Sequence, residues 1–470
     1  MPDQEPAPGP MPAAFGLATA TFVIVASMVG VGVLTTSGYT VYFVGSNQLM
    51  LGLWVLGGVT AACGALSLCE LTAALPKTGG DYVYLHEAYG PIVAFLSGWV
   101  SFVIGFAAPS ASAAFGSAKY LTAPFELEGS FAVLLQRVIA TALILLFAIL
   151  HASSRRQTAK VQGWITSLKL LLLVIFVAAG LVAGRGNLAN LADRPPMTPD
   201  LILSMTSSLV FISYSYLGWN AASYLAGEFN EPQRLLPRAI LLGTGGVVVL
   251  YLGMNLVYAL ALSSADIKSI VESPTNTLPA GEKADAVAPI AWIVATRLFG
   301  GAWSRPFSVA VGLMLLSSLS AYLLTGPRVL YAMASAGQFP AFAGRLTPAA
   351  GTPAFATALQ TIATLIFLWI GSLASLVGYA SVGLAIFSML AVSAVYVLRW
   401  KRPELARPFR TPGYPVTPAV YLIVTGALTL ASFTRQPLVS TYAIMSILAG
   451  IPVYYLWIRA RGRRSLSVAS

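Results

Sequence analysis

Charged residues are scarce in this sequence. Only 9% of its 470 residues are Asp, Glu, Lys or Arg, whereas 57% are hydrophobic. A water-soluble domain carries about 25% charged residues, so this composition cannot cover a surface that faces water. The mean hydropathy of +0.78 indicates instead that lipid is part of the solvent. A β-barrel is excluded because its strands alternate between apolar and polar residues, and the apolar runs here are continuous.

Cysteine and histidine are nearly absent. Cys63 and Cys69 lie six residues apart in one apolar run, so on a helix they face different sides and cannot easily pair. His86 and His151 have no partners at the spacing of metal ligands. The sequence also lacks a P-loop and a dinucleotide-binding fingerprint. We therefore predict no metal site, no cofactor and no enzymatic activity.

The apolar residues are gathered into long uninterrupted runs. A helix needs about 20 residues to cross the hydrocarbon core of a bilayer, and the sequence offers twelve runs of that kind. We predict an all-α membrane protein with twelve transmembrane helices and no separate soluble domain. Without such a domain the energy source must be a gradient, which favours a secondary transporter or a channel. The predicted spans are residues 14–41, 49–75, 91–118, 131–151, 161–183, 200–227, 239–262, 306–333, 354–372, 376–399, 416–434 and 438–459.

The basic residues predict an orientation. With the N-terminus inside, 17 of the 27 Lys and Arg fall on cytoplasmic segments, nine on the opposite side, and Lys169 within a span. Both termini should then be cytoplasmic by the positive-inside rule. The net charge of +11 is explained by topology and calls for no nucleic-acid partner. No Lys or Arg precedes the first span, so we expect no cleaved signal. The Ala- and Gly-rich, short-looped chain is typical of a bacterial cytoplasmic membrane.

Spans one and six carry glycines near their middle. The first contains Gly30-Val31-Gly32 and the sixth contains Gly218. Interrupted helices at matching positions of two halves indicate a binding site at the membrane midplane. The alternative is that these glycines only allow neighbouring helices to pack closely.

Several motifs resemble a known family. Residues 70–91, with Pro76-Lys-Thr-Gly-Gly-Asp-Tyr-Val-Tyr at their centre, resemble the cytoplasmic loop after span two in amino acid-polyamine-organocation (APC) superfamily permeases. Residues 216–240, 325–333 and 398–410 resemble the L-type amino acid transporter branch. The resemblance implies a leucine-transporter-type fold of inverted five-helix repeats with helices 1 and 6 broken. Its parts would be a cytoplasmic tail (1–13), two repeats (14–183 and 200–399), helices 11 and 12 (416–459) and a basic cytoplasmic tail (460–470).

The resemblance also implies where an amino acid would bind. Its carboxylate would be held by backbone N–H groups at the start of the half-helix after the first break, where the helix dipole is positive. Its ammonium would be held by carbonyl groups of Met28, Tyr214 and Leu217 that the breaks release. Relatives place a hydroxyl residue where Val31 stands, so backbone groups alone would bind the carboxylate here. The predicted substrate-binding residues are Met28, Val29, Gly30, Val31, Gly32, Tyr214, Ser215, Leu217, Gly218 and Asn220.

Two of these residues have alternative interpretations. Tyr214 matches the position of an aromatic gate that covers the substrate from the outer side, but tyrosines also pack within spans. Asn220 follows the second break, where it could bind substrate or the freed backbone.

Lys169 lies within the predicted fifth span. An ammonium at the centre of a membrane helix costs about 2.5 kcal/mol or more, so an unpaired structural lysine is disfavoured. By resemblance, Lys169 occupies the place of the ion in sodium-coupled relatives, where it would remove sodium dependence or, if it titrates, couple transport to protons. Extension toward the membrane surface is the alternative. Ser318 and Ser320 lie where those relatives have hydroxyl ligands; with Lys169 present we expect a structural role.

The sequence thus predicts a sodium-independent exchanger of neutral L-amino acids that works by alternating access. A proton-coupled amino acid symporter is the alternative, and an amino acid receptor without transport is less favoured. The partners would be a small-molecule amino acid and the lipid bilayer. Residues 119–130 contain no cysteine, so no disulfide-linked heavy chain is expected. Six charged residues lie near the cytoplasmic span ends, and some of them could form ion pairs that close an inner gate. Taken singly, each is interpreted as a solvated loop charge. They are Glu70, Lys77, Asp81, Glu87, Glu228 and Arg328.

Overall fold

The computed structural model describes residues 15–125, 129–182, 186–274, 276, 283–287, 289–348, 350–370, 373–435 and 437–467. The predicted N-terminal tail, residues 1–13, lies outside the described residues. So do residues 468–470 at the end of the predicted C-terminal tail.

The described residues are helical throughout, apart from loops and an isolated β-bridge between Phe15 and Phe229. Apolar runs become helices here because a helix satisfies every backbone N–H and C=O group within itself. The α-helices are α1 Leu17–Met28, α2 Val31–Val44, α3 Asn47–Ala74, α4 Asp81–Tyr89, α5 Pro91–Val100, α6 Ala108–Thr122, α7 Gly129–Ser153, α8 Arg155–Val182, α9 Pro199–Ser215, α10 Pro232–Ala261, α11 Ser264–Val271, α12 Ile290–Phe299, α13 Ser304–Ser335, α14 Ala354–Ile370, α15 Leu373–Lys401, α16 Val416–Arg435 and α17 Pro437–Ser467.

Ten helical stretches of the described chain are long and apolar enough to cross a membrane, when α1 with α2 and α5 with α6 are each counted as one. The prediction of an all-α membrane architecture is therefore confirmed. The other two predicted spans, the sixth and the ninth, correspond to the 17-residue helices α9 and α14. Helix α9 is short because the chain leaves the helix after Ser215.

Three helices occupy segments predicted as loops: α4, α11 and α12. Helix α4 begins after Gly79 and Gly80, whose φ angles of 126° and 55° turn the chain sharply. A Cβ atom on Gly80 would lie 2.7 Å from the ring of Tyr224, so this turn packs tightly on the segment that follows α9. The turn thereby places Asp81, the first residue of α4, inside the protein.

The third predicted span changes its winding in the middle. Between α5 and α6, residues Ser101–Ala107 form a π-helix. Such wide turns are uncommon and occur frequently at functional sites. Here the π-helix packs on α13 and α15, and Ser101, Gly105 and Phe106 of this segment line a central cavity.

Several charges expected to be solvated are buried instead. Arg328 of α13 and Glu228 are both 0% exposed and form an ion pair with a 2.9 Å Nε to Oε1 distance. Glu70 of α3 is likewise buried and pairs with Arg399 of α15 at 2.7 Å. These charges tolerate burial because each has an opposite charge at hydrogen-bonding distance.

Glu228 also holds the start of the described chain. Its carbonyl oxygen accepts a hydrogen bond of 3.0 Å from the backbone N–H of Phe15, just before α1. The rings of Phe15 and Phe229 lie 5.9 Å apart. One residue therefore joins the beginning of the first span, the segment after α9 and helix α13.

Candidate functional site

The first span is interrupted between α1 and α2. Helix α1 ends at Met28, and Val29 and Gly30 leave the helical conformation, with φ and ψ of −79° and 86° and of −117° and −150°. Helix α2 then begins at Val31 without a side chain that caps it. The first N–H groups of a helix have no acceptor within it, and the helix dipole is positive there. The break therefore creates a site that attracts an anion.

The sixth span is interrupted between α9, which ends at Ser215, and a 3-10 helix over Ala221–Glu228. Gly218 has a φ of 113°, a conformation that side chains strongly disfavour. A Cβ atom on Gly218 would lie only 2.9 Å from the carbonyl carbon of Ser27. Position 218 thus requires glycine for two reasons: its backbone angle, and the close contact between the two breaks.

Gly32 and Gly30 have different surroundings. A Cβ atom on Gly32 would overlap the Ser215 side chain and lie 3.0 Å from the Ser215 Cα atom. On Gly30 the nearest atom would be the Tyr322 hydroxyl at 3.8 Å. Gly32 therefore permits close packing of α2 on α9, whereas Gly30 faces open space. Within the Gly30-Val31-Gly32 motif, Gly32 thus serves helix packing and Gly30 lies at the interruption of the helix.

Tyrosine side chains stabilise the breaks. The Tyr251 hydroxyl of α10 lies 2.7 Å from the Met28 carbonyl oxygen and 3.0 Å from that of Ser215. It can donate its one hydrogen to either carbonyl. The Tyr322 hydroxyl of α13 donates to the Ser27 carbonyl at 2.8 Å. Because these carbonyls lack helical donors, the hydroxyls offset part of the cost of interrupting a helix in lipid.

The three carbonyls expected to hold an ammonium differ in availability. The Met28 oxygen accepts from Gly30 N–H at 2.9 Å, and the Tyr214 oxygen accepts from Leu217 N–H at 3.0 Å. No hydrogen bond within the described chain reaches the Leu217 oxygen. Leu217 therefore supplies the most available acceptor, and the Met28 oxygen the least available, since the Tyr251 hydroxyl also lies 2.7 Å from it.

A cavity lies between the two breaks. Its volume is about 90 Å³, counted as the space that the centre of a water molecule can occupy. On the same scale a cavity needs about 10–15 Å³ to hold one water. The cavity between the breaks therefore has room for a small solute. Val29, the tenth predicted residue, does not line the cavity, because its carbonyl is directed to Lys169. The predicted residues that do line it are Met28, Gly30, Val31, Gly32, Tyr214, Ser215, Leu217, Gly218 and Asn220.

Apart from Ser318 and Asp81, the sequence does not single out the other residues of the wall. The wall includes Phe106 of the π-helix, whose ring meets that of Tyr224 edge-on at 5.2 Å. It also includes Asp81 at the start of α4. Both residues come from segments distant in sequence from the glycine breaks, and local sequence patterns carry no signal of that proximity.

Lys169 lies directly behind the first break. Its side chain is 1% exposed, and its ammonium donates to the Val29 carbonyl at 2.6 Å and to the Ser318 hydroxyl at 2.8 Å. The Ala26 carbonyl is 3.5 Å away. Ser318 in turn donates to the same Val29 carbonyl at 2.8 Å. Lys169 thus binds the interrupted backbone instead of extending to the membrane surface.

Ser320 takes a different partner. Its hydroxyl lies 3.1 Å from Nε2 of His151, whose Nδ1 lies 3.1 Å from the Thr158 hydroxyl. This buried group ties α7, α8 and α13 together. Within the part of the chain that the structure describes, no three His, Cys, Asp or Glu residues are grouped as metal ligands, and Cys63 and Cys69 are both free.

Asp81 and Asn220 are joined in the wall of the cavity. The Asn220 amide donates to Asp81 Oδ2 at 2.7 Å, and the Tyr224 hydroxyl donates to the same oxygen at 3.1 Å. Asn220 therefore contacts a carboxylate here, a partner that the sequence did not suggest. Asp81 is only 5% exposed, and this burial raises the pKa of its carboxyl group to about 6.

A helical bundle in which two interrupted spans enclose a buried cavity defines a membrane transporter, because released backbone groups can bind the charged ends of a solute. Residues 15–457 match the family described as "Amino acid permease", and the chain belongs to that family. It is therefore a multi-pass membrane protein that transports amino acids and is not an enzyme.

Curated relatives match over most of their length. The mouse protein "Asc-type amino acid transporter 1" is 30% identical over 457 residues, which cover 95% of this chain and 82% of that protein. The mouse "Large neutral amino acids transporter small subunit 2" is 28% identical and covered to 80% by 94% of this chain. The mouse "b(0,+)-type amino acid transporter 1" is 26% identical, with 94% and 87% covered. The resemblance to the L-type branch is thereby confirmed.

Proposed function

We propose that this permease is a sodium-independent exchanger of neutral L-amino acids that works by alternating access. The observation that carries this proposal is the position of the Lys169 ammonium, 2.6 Å from the Val29 carbonyl in the first break.

A bound sodium ion would need a cluster of oxygen ligands, as hard cations do in proteins. The oxygens available behind the first break are those of Val29, Ser318 and Ala26, and Lys169 is within 3.5 Å of all three. Its ammonium supplies a positive charge that stays with the protein. The break then keeps its shape without a bound ion, and substrate binding needs no sodium.

A zwitterion suits the groups that the breaks release. The uncapped N–H groups at the start of α2 favour a carboxylate, and the Leu217 carbonyl opposite them favours an ammonium. Apolar wall residues such as Phe106, Pro109 and Phe387 suit an uncharged side chain. The name of one relative also refers to large neutral amino acids. Tyr214 would close the cavity from the outer side.

The architecture that we propose follows the matching breaks in the first and sixth spans. Residues 14–183 and 200–399 would form two inverted repeats of five spans each. The eleventh and twelfth spans, at 416–459, would bring the total to twelve. The excess of Lys and Arg on one side supports a cytoplasmic location for both termini. The tails would be residues 1–13 and 460–470, in a bacterial cytoplasmic membrane. Because residues 119–130 lack cysteine, the chain would act without a disulfide-linked heavy chain.

Reconstituted liposomes test the proposal. Purified protein is incorporated with or without unlabelled amino acid inside, and uptake of labelled L-alanine and L-leucine is measured. Exchange predicts rapid uptake only when amino acid is present inside, at the same rate with sodium or with choline outside. Uptake that requires a sodium gradient would refute the proposal, and binding without flux would identify a receptor instead.

A proton-coupled symporter is the second candidate, and the burial of Asp81 beside the cavity favours it. The same liposomes distinguish the two functions. A symporter would accumulate amino acid in empty vesicles when the exterior is made acidic, and an exchanger would not.

A further inference from the structure

Asp81 carries the only charge among the residues that line the central cavity of the described chain. Its Oδ2 atom accepts the hydrogen bonds from Asn220 and Tyr224, whereas its buried Oδ1 atom has no hydrogen-bond partner. Among the described ion pairs none includes Asp81. A buried carboxylate with one oxygen unsatisfied is costly unless it takes up a proton or a cation.

The titratable groups around Asp81 do not compensate its charge. They are Tyr84 on its own helix, Tyr224 on the 3-10 helix and Tyr421 on α16, with Cys69 of α3 beside Tyr84. Tyrosine and cysteine are neutral at pH 7. Burial raises the pKa of Tyr84 still further, so its hydroxyl stays neutral. Asp81 is therefore stabilised by neutral donors only.

The location of Asp81 connects this carboxyl group to the substrate site. Asn220, its partner at 2.7 Å, stands two residues after Gly218 in the second break. Asp81, Asn220 and Leu217 line one continuous cavity. An amino acid that fills this cavity displaces its water, and loss of water disfavours the charged form of a carboxyl group.

We propose that Asp81 takes up one proton, on its unpartnered Oδ1 atom, when an amino acid binds in the central cavity. This inference rests on the proposed function, since it requires that the cavity binds an amino acid. The occupied site would then hold the zwitterion and a neutral Asp81, and the proton would come from water on the side to which the cavity opens.

The sign of the pH dependence follows from linkage. Burial already places the pKa of Asp81 at about 6 in the empty protein, and substrate binding raises it further. Binding therefore consumes a proton wherever the pH lies above about 6, and affinity increases as the pH falls. Since one proton is involved, the increase is at most about tenfold per pH unit. Below the pKa of the empty protein Asp81 is already protonated, and affinity becomes constant.

Equilibrium binding of labelled L-alanine and L-leucine to the purified full-length protein in nanodiscs, from pH 5 to pH 8, tests this inference. We expect affinity to rise as the pH falls toward 6 and then to level off. Asp81→Asn, which resembles the protonated form, should bind at all these pH values with the affinity of the acidic wild type. A pH indicator dye in weak buffer should report proton uptake on binding by the wild type and none by the variant.

Tyr224→Phe supplies a second variant in case Asp81→Asn does not fold. It removes one donor that favours the charged carboxylate, so the Asp81 pKa should rise and the midpoint of the affinity curve should move to higher pH. A purely structural role of Tyr224 would lower affinity without moving that midpoint, and this result would overturn the inference.

Two further outcomes separate the possible failures. Amino acid binding that does not depend on pH in the wild type, or an unchanged pH dependence in Asp81→Asn, would refute the role of Asp81 and leave the proposed function intact. Absence of amino acid binding at every pH would refute both.

Discussion

The ammonium group of Lys169 and the carbonyl oxygen of Val29 are 2.6 Å apart, so a charge on α8 is bonded to the non-helical link between α1 and α2. This bond joins two predicted spans at the point where one of them loses its helical hydrogen bonds. The Val29 carbonyl has no helical donor of its own there, and Lys169 and Ser318 supply two.

Replacement of Lys169 by Met should reduce uptake about tenfold or more. Methionine has a similar length but cannot donate, and loss of one buried hydrogen bond to a charged group costs about 1.5–3 kcal/mol. Uptake in liposomes with internal substrate measures the effect. Lys268→Met is the matched control, because the Lys268 side chain is 67% exposed and its nearest carboxylate is 3.9 Å away. Equal rates for the two variants would contradict the role of Lys169.

Gly218→Ala should abolish uptake. The new Cβ atom would face both an unfavourable φ of 113° and the backbone of Ser27 at 2.9 Å, so the two breaks would have to separate. Gly245→Ala, in α10, has no neighbouring atom within 4 Å of the new Cβ and should transport normally. Expression and thermal unfolding of both variants show whether any loss reflects folding or the site.

Gly30 and Gly32 should respond differently to the same substitution. Gly32→Ala should destabilise the protein, because the new methyl group overlaps Ser215. Gly30→Ala should fold normally, since its Cβ has a nearest neighbour at 3.8 Å, but the methyl group would project where the substrate carboxylate is expected. We expect a raised KM for Gly30→Ala at an unchanged melting temperature. A normal KM would show that the carboxylate binds elsewhere.

Tyr251→Phe should destabilise the protein by about 1 kcal/mol, the typical net contribution of one hydrogen bond. It removes the hydroxyl that serves the Met28 and Ser215 carbonyls. Tyr258→Phe provides the contrast seven residues later on α10. The Tyr258 hydroxyl is buried without a hydrogen-bond partner, so its removal should leave the melting temperature unchanged or raise it. A fluorescence-monitored thermal denaturation of both variants decides the matter.

Glu228→Gln should be the most destabilising of the conservative changes. Removing one partner of a buried ion pair leaves the other charge uncompensated, at a cost of about 3–5 kcal/mol. Glu87→Gln removes a carboxylate that pairs with Arg402 at 2.7 Å, but the Arg402 side chain is 44% exposed. Exposed pairs contribute only about 0–1 kcal/mol. The difference in melting temperature between the two variants tests whether the loss of stability depends on the burial of the ion pair or only on its presence.

The broken spans could be predicted from the sequence because glycine is the residue that leaves a helix most readily. Gly30, Gly32 and Gly218 lie within continuous apolar runs, so the interruption and the span are visible together. The long apolar runs also located a helix for each of the twelve predicted spans, but not all of its ends. Helix α9 ends twelve residues before the predicted 227, α8 and α10 begin six and seven residues before the predicted 161 and 239, and Pro437–Ser467 extends past the predicted 459.

The chemistry of the cavity depends on contacts that sequence patterns do not contain. Asp81 lies in a polar stretch between two spans, which is the pattern of a solvated loop, and its partner Asn220 is 139 residues away. The sequence predicts Val29 as a substrate contact because its neighbours are, but its backbone angles turn its carbonyl toward Lys169. Only the packing of distant helices decides which way such groups face.

Glu228 makes two contacts of unequal strength, one to Arg328 and one to Phe15. Its carboxylate is held by Arg328 where both side chains are 0% exposed, whereas its carbonyl is held to Phe15 by a single main-chain bond. If the bundle parts at this end, the main-chain bond costs only the net contribution of one hydrogen bond, about 0.5–1.5 kcal/mol, whereas separation of the ion pair leaves two charges uncompensated. The first span would then separate from the rest between Phe15 and Glu228. The segment after α9 would stay attached to α13 and move with it.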